Sequence, residues 1–327
     1  MVARQPDVLP PEPTSTTVAP TATPTALPTL PPSPTPTATP IPPTATPAPP
    51  RVGIQVGHWK TEELPDELAR LRTSVGAIVG GYTELQVNLD IAQRVVALLE
   101  QQGVVVDLLP ATIPPAYLAD AFVSLHADGS TSTGRRGYKL ATPWRTSRAS
   151  AHLYNAMQAE YGAATGLPLD DAITFNMRGY YAFSYNRHTH AIARTTPAVI
   201  IEMGFLSNPQ DRAFMLERAD TVAQGIVNGI LRYLNERDPT DLAALEPPNF
   251  DRREVLPGST IPVYATASEN SAILITASEG FTITPFEERE GWYYAFVRGQ
   301  DQRVVGWISK ARYESQARVA TPTVTNP

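Results

Sequence analysis

Two textures of apolar patterning follow one another along the chain after Pro50. In the first, short β-branched runs at Arg51 to Val56, 104–109 and 121–125 alternate with amphipathic stretches. Residues 84–102 place Leu85, Leu89, Ala92, Val95, Val96 and Leu99 at helical spacing, and Gly103 stands where a helix is closed. The same period recurs over 147–161 and 220–234, and a further apolar run from Pro197 ends at Glu202-Met203-Gly204. Strands alternating with helices predict an α/β fold with a mostly parallel sheet flanked by helices. Ligands of such sheets gather beyond the carboxyl ends of the strands. A charged, proline-marked stretch over 236–251 ends this pattern. Beyond it, closely spaced short runs (Ile261-Pro262-Val263-Tyr264, Ala272-Ile273-Leu274, Phe281-Thr282-Ile283, 292–297 and 304–308) predict a small all-β barrel.

Composition changes the picture at both ends. About half of the 33 prolines precede Arg51, in a segment of Pro, Thr, Ala and Ser with almost no charge after Glu12. Such a segment buries too little apolar surface to offset its ordering entropy and is expected to be disordered, with a reach on the order of 150 Å. From Ser315 the chain returns to Ala, Thr and Pro and reads as a second disordered tail. A net charge of −6 argues against a nucleic-acid partner. The absence of cysteine excludes disulfides, thiolate metal sites and cysteine nucleophiles. No run reaches the ~18 apolar residues of a membrane span. Met1-Val2-Ala3-Arg4-Gln5-Pro6 lacks the apolar core of an export signal, and the abrupt start of a Pro/Thr segment reads as a leader removed.

Candidate chemistry sits at three strand ends. Gly57-His58, Leu125-His126 and Ile201-Glu202 each place an ionisable group at the end of an apolar run, which is costly unless something pairs with it or uses it. Two histidines and carboxylates are the parts of an open zinc site. The third ligand is read as Glu84, in the first turn of the long helix just after Gly80-Gly81. Spacing alone leaves alternatives open: an ordinary helix-start acid for Glu84, and a hydrogen-bonded structural role for each histidine.

Gly57-His58, Glu84-Leu85-Gln86-Val87-Asn88-Leu89, Ser124-Leu125-His126-Ala127-Asp128 and the run from Pro197 to Asn208 resemble the zinc-dependent N-acetylmuramoyl-L-alanine amidases of the Glu-Leu-Gly-Phe-Leu-Ser-Asn type, over residues 51–237. The resemblance implies zinc held by His58, Glu84 and His126, with Glu202 as catalytic acid/base. The bond cut joins the lactyl group of N-acetylmuramic acid to L-alanine, so peptidoglycan is the expected partner. The chain departs from the family pattern where Gln55-Val56-Gly57-His58-Trp59-Lys60 replaces Asp-Pro-Gly-His-Gly-Gly, at Asp128 in place of asparagine, and in a longer stretch over 59–82. That stretch carries an expected helix near 65–72 and stands where a lid over the zinc would be. A zinc peptidase cutting within the stem peptide, or a non-catalytic wall binder on the same fold, are the competing readings.

Lesser signals complete the site. Gly134-Arg135-Arg136-Gly137-Tyr138-Lys139, with Arg145 and Arg148, is either a solvated cationic face or a contact for stem-peptide carboxylates or anionic wall polymers. His188-Thr189-His190 reads as a rim pair, a structural pair or a second metal pair. Arg135, Arg136, His188, His190 and Asn208 are taken as candidate substrate contacts, and Gly179 to Phe183 as groove or core. Ile261 to Tyr264, Gly291-Trp292-Tyr293-Tyr294 and Val305-Gly306-Trp307-Ile308 resemble a bacterial SH3-like domain, which implies wall binding. The expected organisation is a disordered segment over 1–50, a catalytic domain over 51–237, a linker over 238–254, an SH3-like domain over 255–314 and a disordered tail over 315–327. The protein is expected to be a secreted or cell-envelope monomer.

Overall fold

The computed structural model describes residues 48–320. Nearly all of the segment expected to be disordered over 1–50, and the end of the expected tail, lie outside the described residues. From the start, β1 (Arg51–Val56) runs into two short 3-10 turns, Thr61–Glu63 and Asp66–Leu71, and a small hairpin of β2 (Ile78–Val79) and β3 (Tyr82–Thr83). Next come α1 (Glu84–Gln101), β4 (Val105–Leu109), β5 (Ala121–Asp128), β6 (Lys139–Ala141) and α2 (Arg148–Thr165). The one-turn α3 (Phe175–Arg178), β7 (Ala198–Phe205), α4 (Pro209–Glu217) and α5 (Ala219–Glu236) follow. The helix expected near 65–72 is therefore a 3-10 turn, begun at Pro65, whose backbone is extended.

These strands form one sheet in the order β4-β1-β5-β7-β6, the first four parallel and β6 antiparallel. Its two faces differ in kind. Val87, Ile91 and Val95 of α1, Leu153 and Met157 of α2, and Val222, Ile226 and Ile230 of α5 close over Ile54, Val123, Leu125, Val199 and Ile201. Each fully buried aliphatic side chain of this set stabilises the fold by roughly 1.5–3 kcal/mol. The opposite face is covered by irregular chain: Leu64, Leu68, Ile113, Tyr181 and Phe183 pack on Phe122, Ala198 and Ile200. Side chains alternate across a strand, so His126 and Glu202 share this second face with Ser124 and Ile200. The register sets His126 directly opposite Glu202, and Glu202 opposite Lys139 on β6. Strand β6 was not foreseen, because it is only three residues long and opens with a lysine that proves to be fully buried.

The second texture folds as β8 (Arg253–Val255), β9 (Ile261–Tyr264), β10 (Ile273–Ala277), β11 (Thr282–Arg289), β12 (Trp292–Arg298), β13 (Arg303–Ser309), α6 (Lys310–Gln316) and β14 (Ala317–Val319). All seven strands pair antiparallel, in the order β10-β9-β13-β12-β11-β8-β14, as a curled half-barrel around Ile261, Val263, Ile283, Ala295, Val297 and Ile308. The chain from Ser315, expected to be unstructured, instead completes α6 and adds β14, with Ala317 opposite Val255 and Val319 opposite Arg253. Backbone ladder bonds and the burial of Ala317 hold this edge, and composition reveals neither.

Alternation along β12 turns Tyr293, Ala295 and Val297 inward and leaves Tyr294 and Phe296 on the face that meets the first sheet's surroundings. There Trp144 stacks on Phe286 with ring centres 4.6 Å apart, and Phe175 meets Phe296 at 6.0 Å. Arg145 donates to the Phe250 carbonyl at 3.0 Å.

Where α2 and α5 cross, a Cβ at Gly229 would lie 2.7 Å from the Cα of Met157, a contact with backbone that a side-chain shift cannot relieve. Replacing Gly229 with valine is expected to lower unfolding stability by about 3 kcal/mol through overpacking, measured by urea denaturation. An unchanged midpoint would show that the crossing is looser than described.

Candidate metal centre

The site is built where β1, β5 and α1 end or begin. His58 follows β1 in a left-handed conformation, φ 66°, which swings its ring back over the sheet edge. Its Nδ1 donates to the Ser74 carbonyl at 2.8 Å, so Nε2 is the free ring nitrogen, and it points at Glu84 Oε1, 3.3 Å away. Glu84 is the first residue of α1. Thr83 caps that helix through a capping box with Gln86, which fixes the direction in which Glu84 leaves the backbone. Glu84 Oε2 accepts from the Ala77 N–H at 2.9 Å, and Oε1 lies 2.9 Å from His126 Nδ1. His58, Glu84 and His126 thus bring their donor atoms within 4.8 Å of one another.

Each ligand is held by a second layer. His126 Nε2 meets the Tyr180 hydroxyl at 3.2 Å, Tyr180 donates to Gln55 Oε1 at 2.9 Å, Gln55 Nε2 donates to the Tyr181 hydroxyl at 3.1 Å, and Tyr181 donates to the Ala111 carbonyl at 2.6 Å. The Tyr180 hydroxyl thus holds the His126 ring at Nε2 while Nδ1 faces Glu84, a partner of the kind that orients ligating histidines. The sequence left Gly179 to Phe183 undecided between groove and core. In the fold Tyr180 supports a metal ligand and Tyr181 is buried beneath it.

Residues 59–82 take part in the same support. Ser74 orients His58 and Ala77 holds Glu84. Gly76, at φ 75°, has the space of its missing Cβ filled by Glu84 Oε2 at 2.5 Å and His58 Cδ2 at 2.7 Å. Leu64 and Leu68 anchor the segment in the second core. Thr61, Leu64, Arg70 and Ser74 face His58, His126 and Tyr180 across a cavity of about 210 Å³. The stretch read from sequence as a lid is therefore a wall built into the centre.

Electrostatics follow from this packing. Burial opposes a charge on Glu84, but its hydrogen bonds to His126 and His58 outweigh that and hold its carboxyl well below the ordinary range. The carboxyl of Glu202 is pushed well up, first by burial and then by the charges of Glu84 and Asp128, with Lys139 opposing. Lys139, fully buried, is ion-paired to Asp128 and lies 3.7 Å from Asp170.

The other residues singled out from sequence lie around the centre. Arg135 pairs with Asp170 at 2.7 Å, and Arg136 stands 3.6 Å from Asp211. Asn208 is buried: its Oδ1 accepts from the N–H groups of Gln210 and Asp211 and its Nδ2 donates to the Thr133 carbonyl, so its amide caps α4. His188 and His190 both turn to Glu67 of the 59–82 segment, at 3.8 and 2.9 Å. Arg145 and Arg148 are drawn to residues 241–250, Arg148 pairing with Asp241 at 3.0 Å.

Two imidazole nitrogens and a charged carboxylate oxygen, converging and individually oriented, form a donor set that fits zinc. This is the centre of a metal-dependent hydrolase. The sequence profile of the N-acetylmuramoyl-L-alanine amidases of the Amidase_3 family matches residues 52–232, more than half of the chain, and the chain belongs to that family. The family is zinc-dependent, and its members hydrolyse peptidoglycan. Such action lies outside the cytoplasmic membrane. Among the described residues no helix is long and apolar enough to cross a membrane.

Solved structures similar to this chain include three amidases. An N-acetylmuramoyl-L-alanine amidase from Clostridium difficile 630 has 18% identity and a TM-score of 0.43, with 58% of this chain and 100% of that one covered. The catalytic domain of CwlV from Paenibacillus polymyxa has 26% identity and a TM-score of 0.40, covering 57% and 99%. An amidase from Nostoc punctiforme has 22% identity and a TM-score of 0.39, covering 57% and 97%. No curated protein sequence matches the chain.

Two predictions follow from the supports of the centre. Tyr180→Phe leaves His126 Nε2 without its partner and is expected to weaken zinc binding about 10- to 100-fold, read by competition with a chelator. Unchanged affinity would remove Tyr180 from the centre. Glu67 is held down from 4.5 to about 2, chiefly by the backbone N–H groups of His190 and Thr189. A carboxyl lowered in the folded state stabilises above its ordinary pKa and loses that contribution as pH falls through the lowered one. Thermal unfolding between pH 6 and pH 2 should therefore fall further in the natural protein than in Glu67→Gln. Parallel curves would show that Glu67 is not held in this way.

Proposed function

We propose that the chain cleaves the bond between the lactyl group of N-acetylmuramic acid and L-alanine, with Glu202 as the catalytic acid/base. The observation that carries this is the register of β5 and β7, which sets Glu202 beside His126 on the face where the zinc ligands converge. His58, Glu84 and His126 would hold a zinc ion, which would supply the charge to polarise a carbonyl and to lower the pKa of water towards neutrality. Glu202 takes the proton of the attacking water and returns it to the leaving amine. Its raised pKa suits a group that must both accept and donate, and Lys139 opposite it limits the rise. One Glu202 oxygen is buried without a hydrogen-bond partner among the described residues, which leaves it available for that proton.

We assign the residues from about 51 to 237 to catalysis, and the half-barrel from about 255 to wall attachment, in a secreted or cell-envelope enzyme. A monomer suffices, because one chain supplies every group of the centre. Of the five residues read first as substrate contacts, Arg135 and Arg136 keep half-exposed guanidinium groups and are proposed to meet stem-peptide carboxylates. His188 and His190 are assigned instead to holding the 59–82 wall through Glu67.

Glu202→Gln is expected to lower kcat on a soluble muramoyl peptide by at least about 100-fold while zinc content stays at one per chain. The products of the natural protein should be free stem peptide with a new L-alanine amine. A new amine inside the stem peptide, or an active Glu202→Gln, would contradict the assignment.

A further inference from the structure

A cleft of about 710 Å³ runs along the seam between the catalytic part and the half-barrel. Six arginines line it, Arg145, Arg178 and Arg187 from one side and Arg252, Arg298 and Arg303 from the other, and no aspartate or glutamate does. In a chain with 32 acidic residues and 26 basic ones, this is a marked separation of charge. Among the described residues none of the six makes an ion pair. Arg145 and Arg178 reach only the neutral acceptors Asn249, the Phe250 carbonyl and the Trp144 carbonyl. Arg178 also lies over the Trp144 ring at 4.6 Å and is partly buried, so its guanidinium pKa is pushed down by burial, with Glu287 opposing. Guanidinium groups gathered without ion-pair partners repel one another, and the planar fork of each is shaped for a carboxylate or phosphate.

Two features say which anion the cleft suits. Between the arginines stand aromatic side chains, among them Phe175, half exposed, and Phe296. Apolar rings interleaved with arginines fit a peptide or sugar that carries carboxylates better than a bare phosphodiester chain. The cleft also reaches Gly179, next in the chain to Tyr180, whose hydroxyl meets the ligand His126. Gly179 also lines the cavity beside His58 and His126, so the cleft and that cavity share a wall.

We propose that this seam binds acidic stem peptides of peptidoglycan flanking the one under attack, their carboxylates paired with the arginines of both parts of the chain. The proposal rests on the amidase reading and extends it: the half-barrel and the catalytic part together form one substrate surface.

The test is co-sedimentation of the full chain with insoluble peptidoglycan stripped of its phosphate polymers, in the cold and before measurable release. An Arg252→Gln, Arg298→Gln, Arg303→Gln triple variant is expected to bind roughly tenfold more weakly or worse. The corresponding triple lysine variant, which keeps the charge, retains most of the binding. Amidating the peptide carboxylates of the peptidoglycan weakens the natural protein to the level of the glutamine variant. Equal binding by natural protein and glutamine variant would overturn the proposal. A loss seen only on walls that still carry phosphate polymers would also overturn it and assign the cleft to those polymers. Turnover of a soluble muramoyl peptide by the natural protein tests the amidase reading separately, and its absence would leave the binding comparison interpretable.

Discussion

Glu84 keeps a negative charge in a nearly water-free setting because N–H groups and imidazoles surround it. The Ala77 and Ala127 amides and the rings of His58 and His126 all address its two oxygens. A buried carboxylate persists only when such partners compensate its desolvation. Most of the surrounding architecture serves that requirement. The capping box at Thr83 starts α1 where Glu84 can project. The left-handed turn at His58 returns its ring to the sheet edge, and Gly76 leaves room for both ligands.

The same sheet edge accounts for the division of labour among the carboxyls. Glu84 is drawn down by its imidazoles and remains a ligand, whereas Glu202, one strand further along, is pushed up by burial and by its acidic neighbours. Two groups of one chemical type are thus held in opposite states by position alone, which suits a ligand in one case and the proposed acid/base in the other. The buried Lys139 on β6 keeps Asp128 paired and tempers Glu202. The antiparallel edge strand therefore contributes to the electrostatics of the site as well as to the sheet.

Much of this was legible in the sequence, because strand ends and helix starts leave local signals. His58, His126 and Glu202 each close an apolar run, and Glu84 opens a long amphipathic helix just after Gly80-Gly81. What escaped were groups whose role depends on contacts far apart in the chain. Tyr180 reaches His126 from 54 residues away, and nothing in Gly179 to Phe183 marks the first tyrosine as the one that meets the ring and the second as the buried one behind it. The 59–82 stretch looked like a lid because its polar, proline-marked composition hides the burial of Leu64 and Leu68. Strands β6 and β14 are three residues each, too short to show a period, and Asn208 reads alike as a ligand contact or a cap until its partners are seen.

The central claim is that His58, Glu84 and His126 together hold one zinc ion. Anomalous diffraction at the zinc edge from crystals of the zinc-loaded protein tests it most directly. The account predicts a single strong peak bounded by His58 Nε2, a Glu84 oxygen and His126 Nδ1, at ligand distances of about 2.0–2.2 Å. A peak instead between Glu67, His188 and His190, or none at all in protein that binds zinc in solution, would contradict it.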